Sequence, residues 1–268
     1  MSYVGRLAPS PTGLLHLGHA RTFWIAFERA RAANGQLWLR DEDLDPQRSR
    51  AEFSAAMKDD LHWLGIAWDF EMRQSDRLPH YHAALEQLIA SGHAYPCTCS
   101  RKDLAQSTQA PHDDDDEPLY AGTCRPTHSR PLNINLVPSN YRFRVPDNET
   151  ICFHDLHAGP QSFTAGVDFG DFLIWRKDNL PSYQLACVVD DAATHITEVV
   201  RGRDLLKSTA RQILLQRALL LPTPQYFHCD LLRDEQGIRI AKRHDALSLR
   251  SLREQGLTPT QVRERFSL

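Results

Sequence analysis

The sequence lacks any hydrophobic run of the roughly 18 to 20 residues that a membrane-spanning helix needs, so we expect no membrane anchor. Residues 1–6 also lack the basic head and the long apolar stretch of a secretory signal, so we expect no processing of this end. With 41% hydrophobic and 24% charged residues, the composition is typical of a soluble globular protein of one large domain or two modest ones. We therefore expect a cytoplasmic protein.

An excess of positive charge is also missing. The net charge is -3, which argues against a nucleic-acid partner as long as the acidic run 113–117 is counted. Without those five negative charges the balance becomes +2, and we interpret the run as a solvated loop. Basic residues gather later, within 201–217 and 239–243, where a polyanion could be held, although a solvated helix face is the commoner explanation.

The six cysteines lack the spacing of a disulfide framework. Cys97, Cys99 and Cys124 lie close together in the chain, whereas the other three are scattered. Metal ligation is the better interpretation of the cluster, and three free buried cysteines are the alternative. Imidazole is the usual fourth ligand, and the sequence offers three nearby: His93, His112 and His128.

Hydrophobic periodicity and turn signals predict an alternating α/β chain with a parallel sheet. Strands are predicted at 3–8, 36–40, 141–145, 151–156, 172–176, 185–189 and 196–200, and helices at 17–33, 51–64, 80–91 and 205–221. Asn34 and Gly35 provide the stop signal for the first helix. The segment 95–138 has few apolar anchors, and we interpret it as an insertion.

Two histidines, His16 and His19, stand at the predicted start of the first helix. A spacing of three places both imidazoles on one face of the first turn, where backbone N–H groups and the helix dipole favour an anion. Gly18 between them allows a ligand to approach the backbone closely. The pattern fits the phosphates of a nucleotide, and a pair of surface histidines is the simpler alternative.

The wider segment is more specific. Ala-Pro-Ser-Pro-Thr-Gly at 8–13 and His-Leu-Gly-His-Ala-Arg at 16–21 resemble the "HIGH" region of class I aminoacyl-tRNA synthetases in its glutamyl form. The resemblance implies a Rossmann-type fold and formation of an aminoacyl-adenylate from ATP, with Mg, and release of pyrophosphate. It also implies that His16, Gly18 and His19 bind ATP and that both histidines are catalytic.

A second segment, Arg-Ile-Ala-Lys-Arg-His at 239–244, resembles the "KMSKS" loop of the same family. The resemblance implies that Lys242 binds ATP and is catalytic, because an ammonium can neutralise the leaving pyrophosphate. Arg239 and Ala241 depart from the family pattern, so the loop contacts to ATP would differ.

A glutamate site needs a cation for each carboxylate and an acid for the ammonium. Arg6 supplies a cation for one carboxylate, Glu42 supplies the acid, and Ser10 adds a hydroxyl.

By resemblance to the family, the glutamate-binding set is Arg6, Ala8, Ser10, Glu42, Tyr183 and Arg201. The alternatives are ordinary ion pairs for Glu42 and Arg201 and a core aromatic for Tyr183.

Residues 119–125 resemble the zinc segment of the small glutamyl-queuosine relatives of glutamyl-tRNA synthetase. This resemblance, and not the spacing, implies Tyr120 as the fourth ligand. The implied site is one structural zinc per chain held by Cys97, Cys99, Tyr120 and Cys124.

The resemblance covers nearly the whole chain, and because only residues 247–268 follow the second motif, we expect no anticodon-binding domain. We expect an α/β Rossmann-type catalytic core in two halves, 1–95 and 185–268, with an inserted zinc and acceptor-type subdomain at 96–184. The small branch of the family implies a monomer that transfers L-glutamate to the queuosine base in the anticodon of tRNA(Asp). The alternatives are a minimal synthetase that charges the 3' end of a tRNA and a non-catalytic zinc-dependent RNA-binding module.

Overall fold

The computed structural model describes residues 2–99, 119–128, 138–232 and 248–267. Its strands are β1 (Val4–Leu7), β2 (Gln36–Asp41), β3 (Phe70–Arg73), β4 (Ala94–Cys97), β5 (Asn140–Phe143), β6 (Thr150–Asp155), β7 (Gly159–Thr164), β8 (Phe172–Trp175), β9 (Glu198–Gly202) and β10 (Gln225–Cys229). Its α-helices are α1 (Leu17–Ala32), α2 (Ala51–Leu64), α3 (Leu78–Ala90), α4 (Tyr183–Ala193), α5 (Leu206–Ala218), α6 (Leu249–Glu254) and α7 (Pro259–Glu264). Short 3-10 turns cover Gln74–Arg77, Arg203–Leu205 and Arg265–Ser267.

Parallel strands form the centre of the fold. In one sheet, β1, β2 and β3 are parallel, and in a second sheet β9 and β6 run parallel to β10 on either side of it. β1 lies next to β9, because the Thr197 N–H donates to the Val4 carbonyl over 2.9 Å. From this pair, β2 and β3 follow on the side of β1, whereas β10 follows on the side of β9. Such a reversal of strand order is where α/β proteins bind ligands.

The remaining strands are antiparallel. β7 pairs with β6 at the edge of the second sheet, and β4, β5 and β8 form a separate three-stranded sheet. The hairpin of β6 and β7 thus lies within the segment that the sequence assigns to the insertion, although β6 pairs with β10 of the second half. The division at 1–95, 96–184 and 185–268 stays a prediction.

The α/β prediction is confirmed, and the start of the chain was predicted closely. Asn34 adopts a left-handed φ of 48° after α1, and the Gly35 N–H donates to the Ala30 carbonyl over 2.8 Å. A Cβ on Gly35 would lie 2.5 Å from the Tyr3 carbonyl oxygen, so only glycine fits there.

The strand predicted at 185–189 is wrong, because these residues lie in helix α4. Leu185, Ala186, Cys187 and Val188 are all buried, and a full helical turn of buried apolar residues shows no polar face that would reveal its 3.6-residue period. Four strands were not predicted: β3, β4, β7 and β10. β4 pairs with β5 in the separate three-stranded sheet, and its residues Tyr95 and Cys97 pack in a small cluster with Tyr120.

The described helices include none that is long and apolar enough to cross a membrane.

Asp60 on α2 is a buried carboxyl that provides a test of the fold. It is 2% exposed, and among the described residues its Oδ2 has no hydrogen-bond partner. Burial raises its pKa to about 6, with Arg250 opposing the rise. The folded state thus holds the proton more tightly than the unfolded state. The contribution of this carboxyl to the free energy of unfolding therefore falls as pH rises from about 4 through 6.

We expect Asp60→Asn to stabilise the protein by about 2 kcal/mol at pH 8 and to have little effect near pH 4, where the carboxyl is protonated in the folded state and about half protonated in the unfolded state. Urea unfolding at the two pH values measures the difference. Asp59→Asn is the control, because Asp59 is exposed and its ion pair with Arg253 contributes little. A stabilisation by Asp60→Asn that is equal at both pH values would contradict the assignment.

Candidate active site

A cavity of about 370 Å³ opens at the carboxyl ends of β1 and β9. Candidate residues that are separated by almost 200 positions in the sequence line this cavity together. The candidates that line it are Arg6, Ala8, Ser10, His16, Gly18, His19, Glu42, Tyr183 and Arg201. Lys242, with Arg239 and Ala241, lies outside the described residues.

His16 is the N-cap residue of α1. Its Nδ1 accepts hydrogen bonds from the backbone N–H groups of Gly18 and His19, over 3.1 and 3.4 Å. An acceptor Nδ1 carries no proton, so in the neutral ring the proton is on Nε2. The His16 and His19 rings stack with centroids 3.7 Å apart. The helix start thus presents imidazole next to the positive end of the helix dipole, which suits an anion.

Four charged side chains form a buried network beside the cavity. The carboxylate of Asp191 pairs with Arg40 and lies 3.5 Å from Arg6 Nε, and Arg40 Nη2 also donates to Glu42 over 3.0 Å. Burial alone would raise the pKa of Asp191, but the Arg40 and Arg6 guanidinium groups hold it below its usual value. Burial raises the pKa of Glu42, and the same two arginines only partly offset this. Additional positive charge would therefore be favourable at Glu42.

Arg201 at the end of β9 is buried, with 5% of its surface exposed. Its guanidinium donates to neutral groups on three sides: His228 Nε2 over 3.1 Å, Thr209 Oγ1 over 2.7 Å and Gln212 Oε1 over 2.8 Å. The Tyr183 hydroxyl lies 3.4 Å from Nη1. These contacts differ from the ordinary ion pair that was the alternative for Arg201, and they leave a buried positive charge suited to a ligand carboxylate.

Three cysteines and a tyrosine gather around β4. The thiols of Cys97, Cys99 and Cys124 lie within 4.8 Å of one another, and the Tyr120 hydroxyl lies 3.5 Å from both Cys97 Sγ and Cys99 Sγ. All six cysteines of the chain are free thiols in the structure. The group could hold a metal ion.

The distances can be compared with a tetrahedral site. With metal bonds of about 2.3 Å to sulfur and 2.0 Å to oxygen, two sulfur ligands stand about 3.8 Å apart and a sulfur and an oxygen about 3.5 Å. The Cys99–Cys124 sulfur distance is 3.6 Å, and the two distances to Tyr120 are given above. Arg142 Nε lies 3.4 Å from Cys97 Sγ, where its charge would stabilise a thiolate. Within the described part of the chain, the metal-ligand cluster contains no histidine. His93, one of the histidines considered as a fourth ligand, is hydrogen-bonded to Ser91 instead.

Sequence reasoning missed several residues of the site. Asp190, Asp191 and Arg40 were assigned no role from the sequence. His228 and Asp155 behind Arg201 were not singled out, because β10 was not predicted. The one available signal was that Arg40 follows an alternating strand pattern and precedes an acidic cluster.

The fold and the cavity define an α/β enzyme of the nucleotide-binding class, with a ligand site at the reversal of strand order. A family model described as the catalytic domain of class I tRNA synthetases (E and Q) matches residues 3–268. The chain belongs to this family of class I aminoacyl-tRNA synthetases and is a ligase with glutamate–tRNA ligase-like activity.

Relatives of the chain carry two names. A glutamyl-Q tRNA(Asp) synthetase of Symbiobacterium thermophilum is 46% identical over 96% of this chain and 83% of its own length. A glutamate–tRNA ligase of Aquifex aeolicus is 42% identical over 95% of this chain and 54% of its own length. Among solved structures, a glutamate tRNA ligase of Elizabethkingia meningosepticum in complex with its amino acid has a TM-score of 0.78 at 29% identity. That match covers 91% of this chain and 52% of the solved chain.

Proposed function

We propose that this ligase activates L-glutamate with ATP and transfers the glutamyl group to the queuosine base in the anticodon of tRNA(Asp). An oxygen of the glutamate α-carboxylate bonds to the α-phosphorus of ATP, and pyrophosphate leaves. A hydroxyl of the modified base then attacks the carbonyl of the glutamyl-adenylate, AMP leaves, and the hydroxyl proton passes to solvent. The observation that carries the proposal is the single cavity that joins the histidines of α1 with Arg201 and Glu42.

The charges of the cavity support glutamate as the amino acid. Arg201 offers a buried cation whose described hydrogen bonds end on neutral groups, and it would pair with a substrate carboxylate. Glu42, whose pKa is raised by burial, would gain a partner in the substrate ammonium. Arg6 already donates to the Val200 carbonyl over 2.9 Å and would contribute charge to the second carboxylate. Ala8, Ser10 and Tyr183 would complete the contacts around the amino acid.

The start of α1 supports the ATP site. His16 and His19 would donate hydrogen bonds to the phosphates, and Gly18 would lie against them. We propose that Lys242 acts on the leaving pyrophosphate. The described residues on both sides of its segment support this role. Leu232 lines the cavity, and Ser248 forms an antiparallel β-bridge with His16.

We further propose that Cys97, Cys99, Tyr120 and Cys124 hold one structural zinc. Three of the distances among these atoms, Cys99–Cys124 and those from Tyr120 to Cys97 and Cys99, are close to the values for a tetrahedral site, and thiolates are the ligands that zinc prefers. When bound, the zinc would tie residues 119–128 to β4. The backbone N–H of Cys124 donates to the Tyr120 oxygen over 2.7 Å, which would stabilise a phenolate ligand.

The second candidate is a minimal synthetase that charges the 3' end of a tRNA, and the Aquifex aeolicus relative with that name favours it. Both candidates share the first step. Exchange of labelled pyrophosphate into ATP, measured with and without added tRNA, should depend on glutamate and not respond to glutamine or aspartate. Exchange that does not depend on glutamate would refute the proposed amino acid.

Two substitutions of His16 can separate its role as the N-cap of α1 from its proposed role at the phosphates. Asparagine is a good N-cap residue, so His16→Asn should keep the thermal stability of the wild type, whereas His16→Ala should lose about 1 kcal/mol. Both variants lack Nε2–H, and we expect both to lower the exchange rate about 10²-fold. A His16→Asn protein with a wild-type exchange rate would remove His16 from the phosphate site.

A further inference from the structure

The buried pair of His228 and Asp155 lies directly behind Arg201. His228 is on β10 and Asp155 ends β6, and both are 0% exposed. His228 Nδ1 lies 2.6 Å from Asp155 Oδ2, and on the other side of the ring Nε2 accepts from Arg201 Nε over 3.1 Å. The imidazole therefore links a carboxylate to the arginine that faces the cavity.

The contacts of Asp155 fix which nitrogen of His228 carries the proton. Asp155 Oδ1 accepts from the backbone N–H groups of His157, Ala158 and His228, over 3.0, 2.7 and 3.2 Å. Burial opposes its charge, but these bonds and the one with His228 hold the pKa of Asp155 below its usual value, so it is a carboxylate. A carboxylate only accepts, and His228 must therefore donate from Nδ1.

It follows that Nε2 presents a lone pair to Arg201. Burial, and then the nearby Arg201 charge, lower the pKa of His228 to about 4, so the ring is neutral at neutral pH. Thr209 and Gln212 accept from Nη2 and Nη1 of the same guanidinium. Three acceptors on three nitrogens fix the plane of the group, yet each is neutral and leaves its charge available to a ligand.

We infer that His228, held in one tautomer by Asp155, is a positioning residue that orients Arg201 for the carboxylate of the substrate. This inference rests on the proposed role of Arg201 in binding glutamate. A neutral acceptor serves here better than a carboxylate in direct contact with Arg201, because a carboxylate there would compete with the substrate for its charge. The negative charge of Asp155 is kept one imidazole ring away.

The pair also joins β6 to β10, so a test must separate orientation of Arg201 from simple support of the sheet. Two substitutions divide the functions of the ring. In His228→Asn the amide N–H can take the place of Nδ1–H toward Asp155, but nothing reaches Arg201. In His228→Gln the longer side chain can place its amide oxygen near the position of Nε2 and accept from Arg201 Nε.

We expect His228→Asn to raise the KM for glutamate about tenfold in pyrophosphate exchange, with the KM for ATP changed less than twofold. We expect His228→Gln to stay within about threefold of the wild type for both substrates. Equal values of KM for glutamate in the two variants, or equal changes in both KM values, would overturn the inference, because loss of sheet support does not distinguish the substrates or the two amides.

Arg201→Ala in the same assay separates the two proposals. If Arg201→Ala leaves the KM for glutamate unchanged, the proposed glutamate site fails. If it raises that KM and a folded His228→Asn does not, only the positioning role fails. Should His228→Asn not fold, Thr209→Val replaces it, because the hydroxyl of Thr209 bonds Arg201 Nη2 and lies 3.2 Å from His228 Nε2. An unchanged KM for glutamate in Thr209→Val would then refute the fixed orientation.

Discussion

Arg201→Ala is expected to lower kcat/KM for glutamate in pyrophosphate exchange by about 10²- to 10³-fold, mainly through KM. The buried guanidinium donates to neutral groups, so a substrate carboxylate would be its charged partner. Without the guanidinium, the substrate carboxylate enters a buried site in which no new cation replaces the lost one. The desolvation free energy of the carboxylate is then not compensated. Exchange rates at varied glutamate and saturating ATP measure the effect.

Arg217→Ala is the matched control for Arg201→Ala. Arg217 is a half-exposed arginine whose ion pair with Glu149 lies at the surface, and we expect its removal to change kcat/KM less than twofold. Thermal unfolding shows whether each variant is folded at the assay temperature. A folded Arg201→Ala protein whose KM for glutamate lies within twofold of the wild type would contradict the proposed glutamate site.

Cys99→Ser is expected to lose the metal. Purified wild-type protein should contain about one zinc per chain, as a single closed tetrahedral site holds one ion. The serine hydroxyl remains protonated at neutral pH and is a poor zinc ligand, so the variant should contain little zinc and unfold at a lower temperature. Elemental analysis and thermal unfolding, with and without a chelator, measure both consequences.

Cys152→Ser controls for the loss of a thiol, because Cys152 is exposed and lies outside the cluster. It should keep its zinc and its unfolding temperature. Tyr120→Phe removes only the fourth donor and should weaken zinc binding without abolishing it, since three thiolates remain. Wild-type protein that is folded, free of zinc and indifferent to a chelator would contradict the metal site.

The sequence predicted the parts of the site that local patterns determine. The loop before α1, the stop at Gly35 and the cluster around Cys97 rest on residues close together in the chain, and each lies where its pattern indicates. The α/β class followed from alternating periodicities. Residues such as Glu42 and Arg201 could be brought together only by family resemblance, because no local signal links positions so far apart.

The parts that failed depend on tertiary packing. The buried apolar turn of helix α4 resembles a strand in the sequence, and β10 joins the sheet through β9 and β6, its neighbours in space. The basic residues from 201 to 217 do not act alike, since Arg201 is buried in the cavity whereas Arg203 and Arg217 form surface ion pairs. Spacing in the sequence could not separate them.

The acceptor is the central claim, and one measurement tests it most directly. The protein is incubated with ATP and labelled glutamate in three tubes, which contain tRNA(Asp) bearing queuosine, tRNA(Asp) with unmodified guanine at that position, and tRNA(Glu). Nuclease digestion then shows which nucleoside carries the label. The proposal predicts label on queuosine in the first tube and none in the other two, whereas label on the 3'-terminal nucleoside of tRNA(Glu) would contradict it and identify a minimal synthetase.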